Sequence, residues 1–140
     1  ESNSRDFVER MQRINANAER VCDFLHEHPK VQRVHFPKFE TPDLYKKACQ
    51  PGAGYGGMFS LVLKNAPATA PKFYDALRVS KGPSLGTNYT LACPYTLLAH
   101  FDELDWAESV GVSPFLVRVS VGLEDGGELV RRFDEALKSV

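Results

Sequence analysis

From Phe7 to Leu25 the apolar residues fall at steps of three and four: Phe7, Met11, Ile14, Ala18, Val21, Cys22 and Leu25. A single stripe of this period is an amphipathic helix, predicted over about Ser4 to His26. At 1.5 Å per residue such a helix is roughly 34 Å long. It commits the chain to a fold that offers a long apolar surface, part of it expected from outside the chain. Pro29 helps end the helix. The remaining residues of the 140 are enough to build a core for one ordinary domain.

Strand and helix signals then alternate. "VQRVHF" reads as a short strand. "TPDLYKKAC" has Thr41 as N-cap and Pro42 at the first helical position, which predicts a short helix. The glycine-rich "QPGAGYGG" breaks the chain before "MFSLVLK", a strand apolar on both faces. A helix from Thr69 places Ala70, Phe73, Tyr74 and Leu77 on one side. "VSKGPSLGTNYTLAC" reads as extended pieces around a turn. "PYTLLAHFDELDWAESVG" is helical in two pieces, stopped at Gly111. "FLVRVSV" is a strand, and the last helix runs from about Gly127 to Ser139, burying Leu129, Val130, Phe133, Ala136 and Leu137. The fold class expected is α/β (α+β): a two-layer sandwich with a three- or four-stranded, mainly antiparallel sheet and helices on one face.

The formal charge of −1 points to neither nucleic acid nor an anionic membrane as partner. No apolar run approaches the roughly 20 residues that span a bilayer, and the opening "ESNSRDFVERMQR" is not a signal peptide. Cys22, Cys49 and Cys93 are odd in number and lack metal-ligand spacing, so they read as reduced thiols of a cytoplasmic protein. The chain opens on Glu1 rather than an initiator methionine and is expected to be a piece of something longer.

Most candidate motifs dissolve on inspection. Gly52, Gly54 and Gly57 satisfy G-x-G-x-x-G, but a dinucleotide site needs a strand before it and a helix after. Here the order is reversed, and turn formation with close backbone packing accounts for the glycines. His26 and His28 share no helical face, His35 lies in a strand, and no acidic or cysteine ligand stands at suitable spacing, so surface or capping roles are expected. His100 reads as a satisfied, partly buried histidine. No Ser-His-Asp or Cys-His arrangement is visible. The charges of "GLEDGGELVRR" read as acidic bias at a helix start.

Arg118 is different. In an extended chain Phe115, Val117, Val119 and Val121 point one way, and Leu116, Arg118 and Ser120 the other. A guanidinium set in so apolar a strand is costly unless something negative meets it. The turn "GPSLGTN" offers a small hydroxyl and backbone N–H groups. Together they would clamp the carboxylate of an amino acid or organic acid. The alternative is an internal ion pair with Glu124 or Asp125.

"YGGMFSLVL", "PSLGTNYTL", "PYTLLAH" and "LVRVSVGLEDGGELVRRFDEAL" occur in one order. Together they resemble the C-terminal domain of the pyridoxal-phosphate-dependent trans-sulfuration (Cys/Met metabolism) enzymes, in the variant most similar to fungal-type cystathionine γ-synthases. Residues 1–28 resemble the family's helix connecting its large domain to the small one. The resemblance covers nearly the whole chain. It implies the small-domain fold of fold type I enzymes, with residues 1–140 a single substrate-binding domain and the cofactor-binding large domain absent.

Matched to the family's S-L-G and R-x-S-x-G motifs, Ser84, Leu85 and Arg118 are the expected substrate-binding residues, and Arg118 awaits an α-carboxylate. The reaction implied for the parent enzyme joins cysteine to an activated homoserine ester, giving cystathionine for methionine biosynthesis. Pyridoxal 5'-phosphate would sit on a lysine outside this chain. No cofactor is expected here, Lys81 having a surface role, so the chain alone is expected to be inactive. Partners implied are amino-acid substrates, the large domain and further copies in a homotetramer. The chain departs from the common pattern at Pro83, at Asn88 and Tyr89, and at Ala99. Those departures leave a β- or γ-lyase open as the parent. A non-catalytic amino-acid-binding or assembly module stands as the second reading.

Overall fold

The computed structural model describes residues 4–140. The predicted stripe is helix α1 (Phe7–Glu27), whose inner face buries Ile14, Asn17, Ala18, Val21, Cys22 and Leu25. The stripe is uncovered at its start, where Phe7 is 54 % exposed. Of the predicted connecting segment, residues 1–3 lie outside the described residues. Strand β1 (Val31–His35) follows, then a four-residue helix α2 (Pro37–Glu40) that the sequence reading did not separate from its neighbours, then α3 (Pro42–Ala48).

Strand β2 (Met58–Leu63) leads into α4 (Ala66–Ala76), which starts three residues before the predicted Thr69 because left-handed Asn65 turns the chain into it. A two-residue strand β3 (Ser80–Lys81) precedes the turn over 82–90 and strand β4 (Leu91–Pro94). Helix α5 (Tyr95–Ala99), a 3-10 turn (Phe101–Glu103) and α6 (Leu104–Ser109) follow, then β5 (Val117–Ser120) and α7 (Gly126–Lys138). Val130 on α7 is half-buried rather than buried.

The sheet has five strands in the order β1-β2-β5-β4-β3, not three or four. The extra member is β3, which pairs parallel to β4 while every other pair is antiparallel. Directly paired residues of antiparallel strands share a face. One face therefore carries the rows Val34–Leu61–Val117–Pro94 and Phe59–Val119–Ala92. α1, α4 and α7 close over this face, with Phe133 of α7 set between Phe59 and Phe73 at ring distances of 6.0 and 6.2 Å.

The opposite face carries the rows His35–Ser60–Arg118–Cys93 and Met58–Ser120–Leu91. The three long helices lie on the first face, as the sandwich reading expects, and the α5–β5 stretch covers part of the second. Tyr95, Val112 and Phe115 of the α5–β5 stretch pack on Val62, Ala66 and Leu116, and Val62 and Leu116 belong to the second face. That face is thus partly covered, and Ser60 and Arg118 stay half-buried.

The glycine motif is a helix–turn–strand join, between α3 and β2, as its order implied. Its last glycine is set by packing: a Cβ on Gly57 would stand 2.2 Å from Ile14 Cγ2 on α1. Cys22 and Cys93 are buried and Cys49 is not; all are free. Burial pushes the Cys22 and Cys93 thiols up, away from the reactive thiolate. Iodoacetamide at neutral pH will therefore alkylate Cys49 in the folded chain and spare the other two until denaturant is added. Peptide mass spectrometry reads the pattern, and native labelling of Cys22 would contradict the packing of α1.

Candidate functional site

On the partly covered face, Arg118 projects toward the 82–90 turn. Its Nη2 donates to the carbonyl of Pro83, the residue before Ser84. The guanidinium lies over the ring of Tyr95, with Cζ 4.9 Å from the ring centroid. Cys93, its cross-strand neighbour, is held protonated by burial, with the adjacent guanidinium pulling the other way. Among the described residues no carboxylate comes within ion-pair distance of Arg118. Both internal acids named as alternatives are engaged elsewhere. Glu124 accepts from the Thr90 N–H at 2.7 Å and its hydroxyl at 2.9 Å. Asp125 caps α7, accepting from the Glu128 N–H at 2.9 Å.

The R-x-S-x-G-x-E-D segment can now be read residue by residue as a clamp on the turn. Arg118 reaches Pro83. Ser120 Oγ accepts the Gly86 N–H at 3.0 Å. Gly122 lies against Tyr89, where a Cβ would approach the Tyr89 Cα and carbonyl carbon to 2.5 Å. The Gly122 N–H donates to Thr90 Oγ1 at 3.0 Å, and Glu124 closes on Thr90 from the other side. Asn17 of α1 then ties the strand's end down, its amide donating to the Gly122 and Glu124 carbonyls at 3.1 and 2.8 Å. These contacts bind residues more than 30 apart in the chain, so neither half of the clamp reveals its partner in the sequence. The acidic pair read as helix-start bias divides: Asp125 does cap α7, whereas Glu124 serves the turn.

The structure brings Arg118 to the carbonyl of Pro83, next in the chain to Ser84 and Leu85. Both turn residues are exposed, Leu85 at 54 %. Their N–H groups are taken up by no other described residue. A shallow groove of about 250 Å³ adjoins them, lined in part by Met11, Met58, Leu85 and Ser120. Site contacts that the sequence did not disclose are those of Tyr95, Cys93 and Ser120. Only the strand register, which sets Cys93 opposite Arg118 and Pro94 opposite Val117, brings them in.

The other histidines have ordinary duties. His26 stacks on Phe39 at 4.0 Å, and His28 Nδ1 accepts the Lys30 N–H at 3.2 Å. His35 meets Glu40 at 3.2 Å. Burial works to raise the Glu40 carboxyl, but Arg33 and His35 together hold it below the usual range. His100 is tied to Glu103 at 2.6 Å. Among the described residues no three His, Cys, Asp or Glu side chains converge to hold a metal, and no helix is long and apolar enough to cross a membrane.

A pyridoxal cofactor needs a lysine amine free to condense with it. Lys81, the lysine nearest the turn, has its ammonium on the Tyr74 and Leu77 carbonyls at the end of α4, above the Tyr74 ring at 4.1 Å. It faces away from Arg118's side of the sheet, since it pairs with Ala92 of the core face. Lys81, so engaged, does not fit the role of a cofactor lysine.

A family model described as Cys/Met metabolism PLP-dependent enzyme matches residues 6–138. A cystathionine gamma-synthase of Neurospora crassa is 52 % identical over 139 residues, covering 99 % of this chain and 22 % of that protein. The cystathionine gamma-synthase-like enzyme iboG2 of Amanita muscaria is 46 % identical, with 98 % of this chain and 25 % of that protein covered. An L-methionine gamma-lyase of Fusobacterium nucleatum is 31 % identical over 96 % of this chain and 34 % of its own length. The chain thus spans between about a fifth and a third of these relatives. A solved structure from Campylobacter jejuni, assigned as an O-acetylhomoserine (thiol)-lyase and containing N'-pyridoxyl-lysine-5'-monophosphate, superposes with a TM-score of 0.86. It covers 96 % of this chain and 32 % of its own at 23 % identity, which establishes the fold.

Proposed function

This chain belongs to the Cys/Met metabolism family of PLP-dependent enzymes, and from that premise we propose that it is the substrate-holding domain of a trans-sulfuration enzyme, with Arg118, Ser84 and Leu85 receiving the α-carboxylate of an amino acid. The observation that carries the reading is a half-buried guanidinium beside an exposed turn with unclaimed N–H groups and no acid of its own. A carboxylate would take up the charge and the donors together. Its two oxygens match the planar fork of an arginine and accept backbone N–H bonds as well.

The parent reaction on this reading is γ-replacement, joining cysteine to a homoserine ester to give cystathionine. The identities of 52 % to a γ-synthase and 31 % to a γ-lyase favour that branch. Pyridoxal phosphate, held on a lysine outside residues 1–140, would supply the electron sink for the bond changes. The residues of this chain orient the substrate while the chemistry proceeds on its amine side. Orientation of this kind lowers a barrier by removing rotational freedom before reaction. A homotetramer in the cytosol completes the reading, the latter supported by three free thiols.

The test is kinetic and uses the full-length protein, with cysteine and O-acetyl- or O-succinylhomoserine as substrates. Arg118→Lys will raise KM for the ester about tenfold and alter kcat less, because one ammonium cannot reproduce the fork. An unchanged kcat/KM overturns the role of Arg118.

A further inference from the structure

Tyr95 is a neighbour of Arg118 anchored from several sides. Its N–H donates to the Leu116 carbonyl at 3.1 Å, and Pro94 before it is paired with Val117, so its backbone is fastened to the strand that carries the arginine. Its ring rests on the Val62, Ala66 and Leu116 cluster. On another side His100 meets it nearly edge-on, with ring centroids 5.9 Å apart, and His100 is itself fixed by Glu103. The guanidinium lies 4.9 Å from the Tyr95 ring centroid, inside the range where an aromatic face attracts a cation.

We propose that Tyr95 is a positioning residue for Arg118: its immobilised ring holds the guanidinium plane so that the edge not bonded to Pro83 is presented to an incoming carboxylate. The proposal rests on the reading of Arg118 given above. An arginine side chain has many rotamers, and a fork gains its selectivity for carboxylates when it is held in one of them. The Pro83 carbonyl fixes one Nη and the Cys93 side chain meets the guanidinium from β4, contacts that still let the plane swing. The ring removes the swing. The Tyr95 hydroxyl hydrogen-bonds to no other described residue, so the ring face alone performs the task.

The experiment measures steady-state kinetics of the full-length protein with cysteine and O-acetyl- or O-succinylhomoserine. Tyr95→Leu will raise KM for the ester about two- to fivefold, with kcat within twofold of the parent. Tyr95→Phe will restore the parental KM. Phenylalanines bearing one, two and three fluorines at position 95 will raise KM stepwise, because fluorine weakens the ring's negative face at nearly constant shape. A purely structural role responds to leucine and ignores fluorine. Should Tyr95→Leu fail to fold, the fluorinated series, which keeps the ring's shape, decides alone. A flat series, or Tyr95→Phe behaving like Tyr95→Leu, overturns the role of Tyr95 while leaving Arg118 in place. Arg118→Lys with parental KM, or no turnover of either ester by the parent protein, removes the carboxylate reading and the Tyr95 proposal with it.

Discussion

Gly122→Ala will lower the stability of the chain by about 3 kcal/mol and its melting midpoint by roughly 10 °C. The added methyl carbon would stand 2.5 Å from both the Cα and the carbonyl carbon of Tyr89. These are backbone atoms, so no rotamer change relieves the clash, and the turn must separate from the end of β5. Overpacking of this kind costs about 1–3 kcal/mol. Displacement also stretches the Gly122 N–H bond to Thr90 Oγ1 and disturbs the Asn17 amide that spans Gly122 and Glu124. Each such bond contributes about 1 kcal/mol. Calorimetry reads the midpoint. Hydrogen exchange reads the location: the Gly86, Thr90 and Leu123 amides, bonded to Ser120, Glu124 and Asn88, should lose protection first. A parental midpoint with unchanged protection would mean that the turn is not clamped by the strand.

The value of that clamp explains what the sequence could and could not disclose. Val117, Val119 and Val121 follow the period-two rule and are buried, whereas Phe115, expected on their side, lies before the strand begins and packs with Val62 and Leu116 on the other face. α1 and α7 were legible for the same kind of reason, since their buried residues recur at three and four. The extended piece that holds Ser80 and Lys81 was legible, but its place in the sheet was not: two exposed residues carry no alternation, and only parallel pairing with Leu91 and Ala92 makes them a strand. The start of α4 was hidden by Pro67, tolerated in the first turn of a helix, and by the left-handed Asn65. At the site, the chemistry of Arg118 could be argued from its residue type and place in a strand. Its surroundings could not. Glu124 looks like any acid before a helix until Thr90 is brought to it across 34 residues. Tyr95 looks like the first residue of a helix until the register sets it beside Leu116. Local rules gave the elements, and long-range pairing made the site.

Phe133→Ala will remove about 3–5 kcal/mol, the largest loss expected from any single truncation here. Phe133 is 0 % exposed and stands where three elements meet: it lies on α7, against Phe59 of β2 and Phe73 of α4. Phe59 is held by the sheet and Phe73 by its helix, so neither can move in to fill the space. The cavity term then adds to the lost transfer energy. Urea unfolding should show the midpoint concentration falling while the slope stays parental, the sign of a changed stability at constant exposed surface. Phe101, 70 % exposed, supplies the control, and its change to alanine should stay within about 0.5 kcal/mol. A cost under about 1.5 kcal/mol for Phe133→Ala would show that α7 does not pack on the sheet in this way. The same variant separates stability from binding. Phe133 covers one face of the sheet while Arg118 stands on the other, and the contacts that orient Arg118 come from Pro83 and Tyr95. In the full-length protein, below the melting midpoint, Phe133→Ala should therefore lower the amount of active enzyme and leave KM for the homoserine ester parental, the opposite of the pattern expected from Arg118→Lys.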